Sequence, residues 1–203
     1  ALENWKIDQA IGAALTLERL ENESDAQFLY RVKTDSKEQG LKAAERGSEI
    51  HAEIERGFEG KESDTYLAVK KHINSIFPHE HWLAESSFCS ILGYGGKIDL
   101  YSESGIFIDF KTKDNLEGKK AKSLVYPEHG MQLSSYAAGM RVENPIRVSI
   151  FIDRSNTELI ISHVWDVDSH EKHKEMFFSL LNYWKLLKDF NITEQLIKLK
   201  KEK

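Results

Sequence analysis

Apolar positions along this chain change their spacing near residue 80. Before that point they recur every three or four residues, the period of a helix with one buried face. The spacing predicts a helix over 4–20, where Ile7, Ile11, Ala14 and Leu15 form a stripe with Trp5 and Leu17 beside it. It predicts helix again over 25–32, and over Ser36 to Phe58 with Leu41, Ile50, Ile54 and Phe58 toward a core. Gly40 and Gly47 each weaken that last helix by up to about 1 kcal/mol relative to Ala, so either one can mark a break. A further helix over 62–76 carries Tyr66, Val69, Ile73 and Ile76 and is closed by Pro78.

From Trp82 the pattern becomes that of strands. Trp82 to Ser90 leads into a hairpin over 96–111, whose turn is Ser102-Glu103-Ser104-Gly105. A lysine-rich connection follows, and then Pro127 opens a helix of about 14 residues from the favoured first-turn position. Strands over Arg147–Asp153 and Glu158–Trp165 flank a polar turn at Arg154–Thr157. The last helix starts near 169 with Phe177, Leu180, Leu181, Trp184 and Leu187 as its stripe, and Asp168 and Glu171 have capping-box spacing. Helices, three strands, a helix, two strands and a helix predict one α/β domain over 1–203. Its core is expected at about 46–165, a mixed sheet of about five strands flanked by helices.

Within the hairpin, side chains alternate across the strand. Phe107, Asp109 and Lys111 share one face of the second strand; Lys97, Asp99 and Tyr101 share one face of the first. Each strand thus places one Asp among apolar residues. A half-buried carboxylate is costly unless it is paired or bound to a cation. Two readings follow: an Asp99–Lys111 structural ion pair, or a site for a metal ion and a water. The bare acid-any-lysine pattern separates nothing, since Asp35-Ser-Lys37, Glu59-Gly-Lys61 and Glu117-Gly-Lys119 also match it. Only Asp109-Phe-Lys111 lies in an apolar strand beside a second carboxylate. Hard oxygen ligands suit Mg²⁺ or Mn²⁺, and such an ion with a positioned ammonium suits phosphodiester hydrolysis.

Charge and composition adjust this picture only locally. The chain has 203 residues, 40% hydrophobic and 30% charged, with net charge −5, so overall charge does not advertise nucleic-acid binding. Lys111, Lys113, Lys119, Lys120 and Lys122 nevertheless fall within a dozen positions starting at the candidate site. A second cluster, Lys198, Lys200, Lys201 and Lys203, reads as a solvated face. The single cysteine, Cys89, excludes an intrachain disulfide and a cysteine-ligated cluster within this chain. No apolar run has the length of a membrane span, no secretory signal is visible, and the cytoplasm is the simplest compartment.

Two helices carry further candidates. Gly47 and His51 are one turn apart; Gly47 permits close approach, and His51 can offer a neutral nitrogen to a metal or be an ordinary helical histidine. Gln132 and Tyr136 share a face of the helix after the hairpin, as site partners or as core edge. Glu85, on the preceding strand, is an additional carboxylate candidate or an exposed one.

Gly47…His51, Asp99, Asp109-Phe110-Lys111 and Gln132…Tyr136, in that order, resemble the PD-(D/E)XK nuclease superfamily, specifically its RecB-like exonuclease branch. The match covers roughly 46–140. The leading Pro of the family name is absent: Gly96, Lys97 and Ile98 precede Asp99. With one cysteine the chain resembles the compact phage-type or mitochondrial-type members, which lack an iron–sulfur cluster. The resemblance implies a restriction-endonuclease-like core and DNA as substrate. It implies one or two Mg²⁺ or Mn²⁺ ions held by Asp99, Asp109, the Phe110 carbonyl and His51. Lys111 would position the nucleophilic water, while Gln132 and Tyr136 would support the site and the nucleic-acid backbone. Lys113, Lys119, Lys120 and Lys122 would meet DNA. The expected activity is a DNA exonuclease of recombination, repair or replication, with a recombination or replication protein as candidate partner. Its setting would be the cytoplasm, that of the host for a phage protein, with a mitochondrion also open. An endonuclease or junction resolvase on the same scaffold, or a catalytically silent DNA-binding module, are the alternatives. Cleavage polarity, strand preference and oligomeric state stay open.

Overall fold

The computed structural model describes residues 2–195, with side chains from residue 6 onward. Expectations for the Trp5 side chain and for Lys198, Lys200, Lys201 and Lys203 lie outside the described part. The chain divides into two compact units, Ala1–Ile50 and His51–Lys203, so the division falls inside a helix.

The first unit holds α1 (Leu2–Thr16) and most of α2 (Asp25–Phe58). α1 stops four residues short of the expected end. Thr16 Oγ1 donates back to the Gly12 carbonyl at 2.9 Å, and a polar turn follows with Asn22 at φ 61. Ile7, Ile11 and Leu15 are exposed, so the expected stripe is not a buried one; Ala13 is buried in its place. α2 runs unbroken through Gly40 and Gly47. Lys37, Glu38, Gln39, Leu41, Lys42, Ala43, Ala44, Glu45 and Arg46 surround the two glycines with strong helix formers, which outweigh about 1 kcal/mol per glycine. Of its expected core residues, Ile50 and Ile54 are buried and Leu41 is exposed.

The second unit takes in the end of α2, then α3 (Asp64–Ile76), β1 (Leu83–Ser90), β2 (Tyr94–Ser102) and β3 (Ile106–Lys113). A short 3₁₀ turn (Ala121–Ser123) precedes α4 (Pro127–Met140), β4 (Ile146–Asp153), β5 (Ile160–Val164) and α5 (Ser169–Leu187). Ser63 caps α3 by accepting the Tyr66 N–H. The five strands form one mixed sheet in the order β1-β2-β3-β4-β5, antiparallel except for the parallel β3–β4 pair. Parallel neighbours need a crossover, and α4 supplies it. The fold is therefore α/β with a five-stranded mixed sheet flanked by helices. Among the described residues no helix is long and apolar enough to cross a membrane.

α4 lies against the sheet through Leu133, Tyr136 and Ala137, which pack with Ile98, Phe107 and Phe88. Close approach depends on small residues. A Cβ on Gly139 would lie 2.0 Å from the Phe88 ring, and one on Gly96 would lie 2.9 Å from Tyr136. Gly139→Ala is therefore expected to destabilise the protein by about 1–3 kcal/mol. That exceeds the helix-propensity gain of about 1 kcal/mol. Thermal melting checks it: an unchanged or raised midpoint would contradict the close docking of α4 on β1.

α5 departs from expectation twice. Asp168 has helical backbone angles, φ −62 and ψ −22, and makes no side-chain cap bond, so the capping box does not form. The Ser169 and His170 N–H groups turn back to the carbonyls of Asp166 and Val167, and Glu171 pairs with Lys174 at 2.6 Å. The buried part of α5 is its N-terminal half, at His170 and His173, while Leu180, Trp184 and Leu187 are exposed.

Candidate active site

The hairpin register explains how the acids meet. β2 and β3 pair as Leu100↔Ile108, Tyr101↔Phe107 and Ser102↔Ile106. One further step along that register sets Asp99 opposite Asp109. The paired ladder stops at Leu100, and there the Asp99 side chain takes over: its Oδ2 accepts the Phe110 N–H at 2.7 Å. On the other side, β1 pairs with β2 as Ala84↔Leu100 and Ser86↔Ile98, which brings Glu85 opposite Asp99. Glu85, Asp99 and Asp109 thus form a row across three strands. Glu85 sits at φ 53, a left-handed conformation that is strained for this residue type.

Asp109 is 1% exposed. Lys111, two residues on and on the same face, donates from Nζ to Asp109 Oδ1 at 2.9 Å and to Gln132 Oε1 at 3.0 Å, and lies 2.7 Å from Asp109 Oδ2. Gln132 Nε2 in turn donates to Tyr136 Oη at 2.7 Å. Asp109, Lys111, Gln132 and Tyr136 are one connected chain from β3 into α4. The ion pair of the structure is Asp109–Lys111, in place of the Asp99–Lys111 pair considered as the structural alternative.

His51 on α2 reaches the same acids. Its Nδ1 stands 3.7 Å from Asp99 Oδ2, and its ring meets the Phe110 ring edge-on at 6.1 Å. Burial pushes its pKa down, with Asp109 opposing and Lys111 reinforcing that shift, so the ring is neutral at pH 7 and keeps a free lone pair. Burial pushes the Asp99 and Asp109 carboxyls up to about 6; Lys111 pulls against this in both, and the charge of Asp99 adds to the rise at Asp109. Tyr136 is pushed up to about 12 by burial, so its hydroxyl keeps its proton.

Asp109 Oδ2 is buried without an aligned hydrogen bond. Among the described residues no three His, Cys, Asp or Glu side chains come together as a ready metal shell. Mg²⁺ needs no such shell: one or two carboxylates with waters and substrate oxygens suffice. Two desolvated carboxylates sharing one ammonium, an Asp109 oxygen with no aligned donor and a backbone carbonyl in the same strand fit a hard divalent cation in kind.

The remaining candidates lie around this centre. Glu85 is ion-paired to Lys97, whose Nζ is also 3.7 Å from Glu55. Lys113 is half-buried with Nζ 5.4 Å from the centre of the Tyr126 ring, and burial together with Arg154 and Lys111 lowers its pKa. Lys119, Lys120 and Lys122 are exposed on the β3–α4 connection. That connection is anchored: Leu116 and Leu124 pack on Phe151, and Asp153 Oδ2 accepts the Leu116 N–H at 2.9 Å. Hydrogen bonds from Ser155, Leu116 and Asn156 outweigh burial and hold the Asp153 carboxyl down at about 2.

Sequence reasoning missed His129. It lies three residues before Gln132 on the same face of α4, its Nδ1 is buried without a partner, and burial with Lys111 and Lys113 pushes its pKa down to about 4. The spacing His129, Gln132, Tyr136 was the available signal.

No family model matches the chain, and no curated protein matches it. Solved structures do resemble it. An alkaline exonuclease from Laribacter hongkongensis aligns with TM-score 0.44 and 15% identity over 99% of this chain and 100% of that one. A protein from Eubacterium rectale aligns with TM-score 0.46 and 12% identity over 69% of this chain. The aligned part is 66% of that protein, a little under two thirds of its length. At these identities and scores neither neighbour assigns an activity.

Proposed function

We propose that this chain is a nuclease of the PD-(D/E)XK superfamily, a divalent-metal-dependent DNA exonuclease that hydrolyses phosphodiester bonds. The observation that carries the reading is the Lys111 ammonium, held at 2.9 Å from buried Asp109 and 3.0 Å from Gln132 beside a second, half-buried carboxylate, Asp99. A buried ion pair built only for stability would not need Asp99, which adds like charge across the hairpin. Asp99, Asp109, the Phe110 carbonyl and the neutral His51 would hold Mg²⁺ or Mn²⁺. Such an ion makes water a nucleophile at neutral pH and offsets charge on the phosphate.

The chain's own groups do the rest. Lys111 orients the attacking water and neutralises developing negative charge. Gln132 fixes the ammonium, and Tyr136 fixes Gln132, so the donors are placed before substrate arrives. Lys113, Lys119, Lys120 and Lys122 offer cations to the DNA backbone from the anchored β3–α4 connection. Preference for ends over internal bonds rests on the Gly47…His51 and Gln132…Tyr136 elements of the family resemblance.

End-labelled linear DNA and closed circular DNA, each with Mg²⁺, Mn²⁺ or chelator, test this directly. Metal-dependent loss of the linear substrate alone is expected. Nicking of circles would move the assignment to an endonuclease, and no cleavage with any metal would sink both.

A further inference from the structure

A cavity of about 440 Å³ opens between the end of α2, α3 and the segment before β1. It falls in the lower part of the usual range for ligand pockets, about 300–1,000 Å³. Phe58 and Trp82 supply aromatic walls; Asn74, Lys70 and His79 supply polar groups. Three observations point to what it takes. The Trp82 Nε1–H is buried and donates to no acceptor among the described residues. The Asn74 amide is exposed and has no hydrogen bond among those residues, so its donor and acceptor are both free to read a base edge. The acid at the rim, Glu80, is occupied by the Ser102 and Ser104 hydroxyls, while the Lys70 ammonium lies 5.2 Å from the centre of the Tyr66 ring and 4.0 Å from an exposed Glu62, with no short carboxylate contact among the described residues. Aromatic faces, an amide and a cation are the chemistry that receives a nucleotide.

Position gives the second half of the inference. Phe58 comes seven residues after His51 on α2, hence on the same helix face. At 1.5 Å per residue that is about 10 Å along the helix from His51, roughly three steps of a strand at about 3.4 Å each. We propose that the Phe58–Trp82 cavity is a base-stacking subsite for a nucleotide of the bound strand, about three steps from the bond that is cleaved. The proposal rests on the nuclease reading for its location relative to cleavage and not for its chemistry.

The test uses the full chain and two oligonucleotides of equal length, one normal and one with every base removed. In chelator, the normal strand is expected to bind about 5- to 100-fold tighter than the abasic one, the range for stacking of a base on an aromatic side chain. Trp82→Ala and the surface variant Asn74→Ala should shrink that ratio, and Trp82→Phe, which keeps an aromatic face without the indole N–H, should restore part of it. With metal, a single abasic position scanned from the labelled end should raise KM about three nucleotides from the cut and leave kcat unchanged. This position effect should vanish in Trp82→Ala. An unchanged ratio in Trp82→Ala and Asn74→Ala, or a Trp82→Phe variant as weak as Trp82→Ala, overturns the subsite. Saturation of tryptophan quenching by dAMP at lower concentration than by the strand also overturns it, assigning the cavity to a free nucleotide. Binding in chelator needs no cleavage. Lost cleavage with a retained ratio therefore removes the nuclease reading alone, and cleavage with an unchanged ratio removes the subsite alone.

Discussion

Lys111→Ala is expected to lower DNA cleavage by about 10³-fold, and Asp109→Asn by at least as much, with the circular dichroism spectrum unchanged. The two variants act on one contact from opposite sides, so the double variant should be scarcely worse than either single one. Asp109→Asn has a second expected effect, on stability without metal. Asp109 is an acid whose folded pKa, about 6, is raised above its ordinary 3.8. The folded state then holds the proton more tightly than the unfolded state between those values. Stability from this group is present at low pH and is lost as pH rises through about 6. A neutral Asn escapes that loss. In chelator, Asp109→Asn should therefore melt above the wild type at pH 8, and the difference should close as pH falls toward 5. Comparing the two proteins at each pH cancels the opposite contribution of the buried histidines. A variant that keeps a tenth or more of wild-type cleavage would remove Asp109 and Lys111 from the chemistry. A melting difference that grows on acidification would refute the burial argument.

The parts of this site that were legible in the sequence are those set by local period. Alternation placed Asp109 and Lys111 on one face, and the turn at Ser102–Gly105 fixed the register that sets Asp99 beside them. Pro127 marked the start of α4, and the i, i+4 spacing brought Gln132 to Tyr136. What was not legible depends on partners distant in sequence. The choice of Asp109 over Asp99 as the partner of Lys111 follows from Asp99 accepting a backbone N–H where the strands part. The apolar stripe of α5 announced an amphipathic helix and said nothing of what covers it, and its Leu180, Trp184 and Leu187 are exposed. The lysine-rich connection read as a polar loop because Leu116 and Leu124 are two apolar residues among many charges. Their anchoring depends on Phe151 and Asp153 from a strand far along the chain.

Arg147 is the sharpest such case, since a charged residue at a strand start reads as solvent-facing and here is 0% exposed. Its guanidinium joins three elements. Nη1 donates to Ser134 Oγ at 2.9 Å on α4 and meets His173 Nδ1 at 3.2 Å on α5; Nη2 donates to the Asp166 carbonyl at 2.6 Å and to Ser169 Oγ at 3.0 Å. Arg147→Ala is expected to cost about 3–5 kcal/mol, because it opens a cavity and removes the guanidinium donors from the Ser134 and Ser169 hydroxyls and the His173 ring. In a chain of this size that is a melting shift of about 10 °C. Arg147→Met keeps most of the volume and should still cost about 2–4 kcal/mol, which isolates the hydrogen bonds from the packing. The same arginine sets a pH response. A guanidinium can only donate, so His173 accepts at Nδ1 and its neutral ring carries the proton on Nε2. Burial first, then Arg147, push His173 and His170 below the ordinary histidine value. For a histidine so shifted, the unfolded chain takes up the proton first, so stability is lost as pH falls through about 6.5. Arg147→Met removes part of that depression and should flatten the loss of stability between pH 7 and 5, even as it lowers the midpoint throughout. Equal midpoints for wild type and Arg147→Met would show that neutral acceptors around a buried cation contribute no net stability here. An unchanged slope would place the acid response in other histidines, of which His72, His129 and His163 are also pushed down by burial.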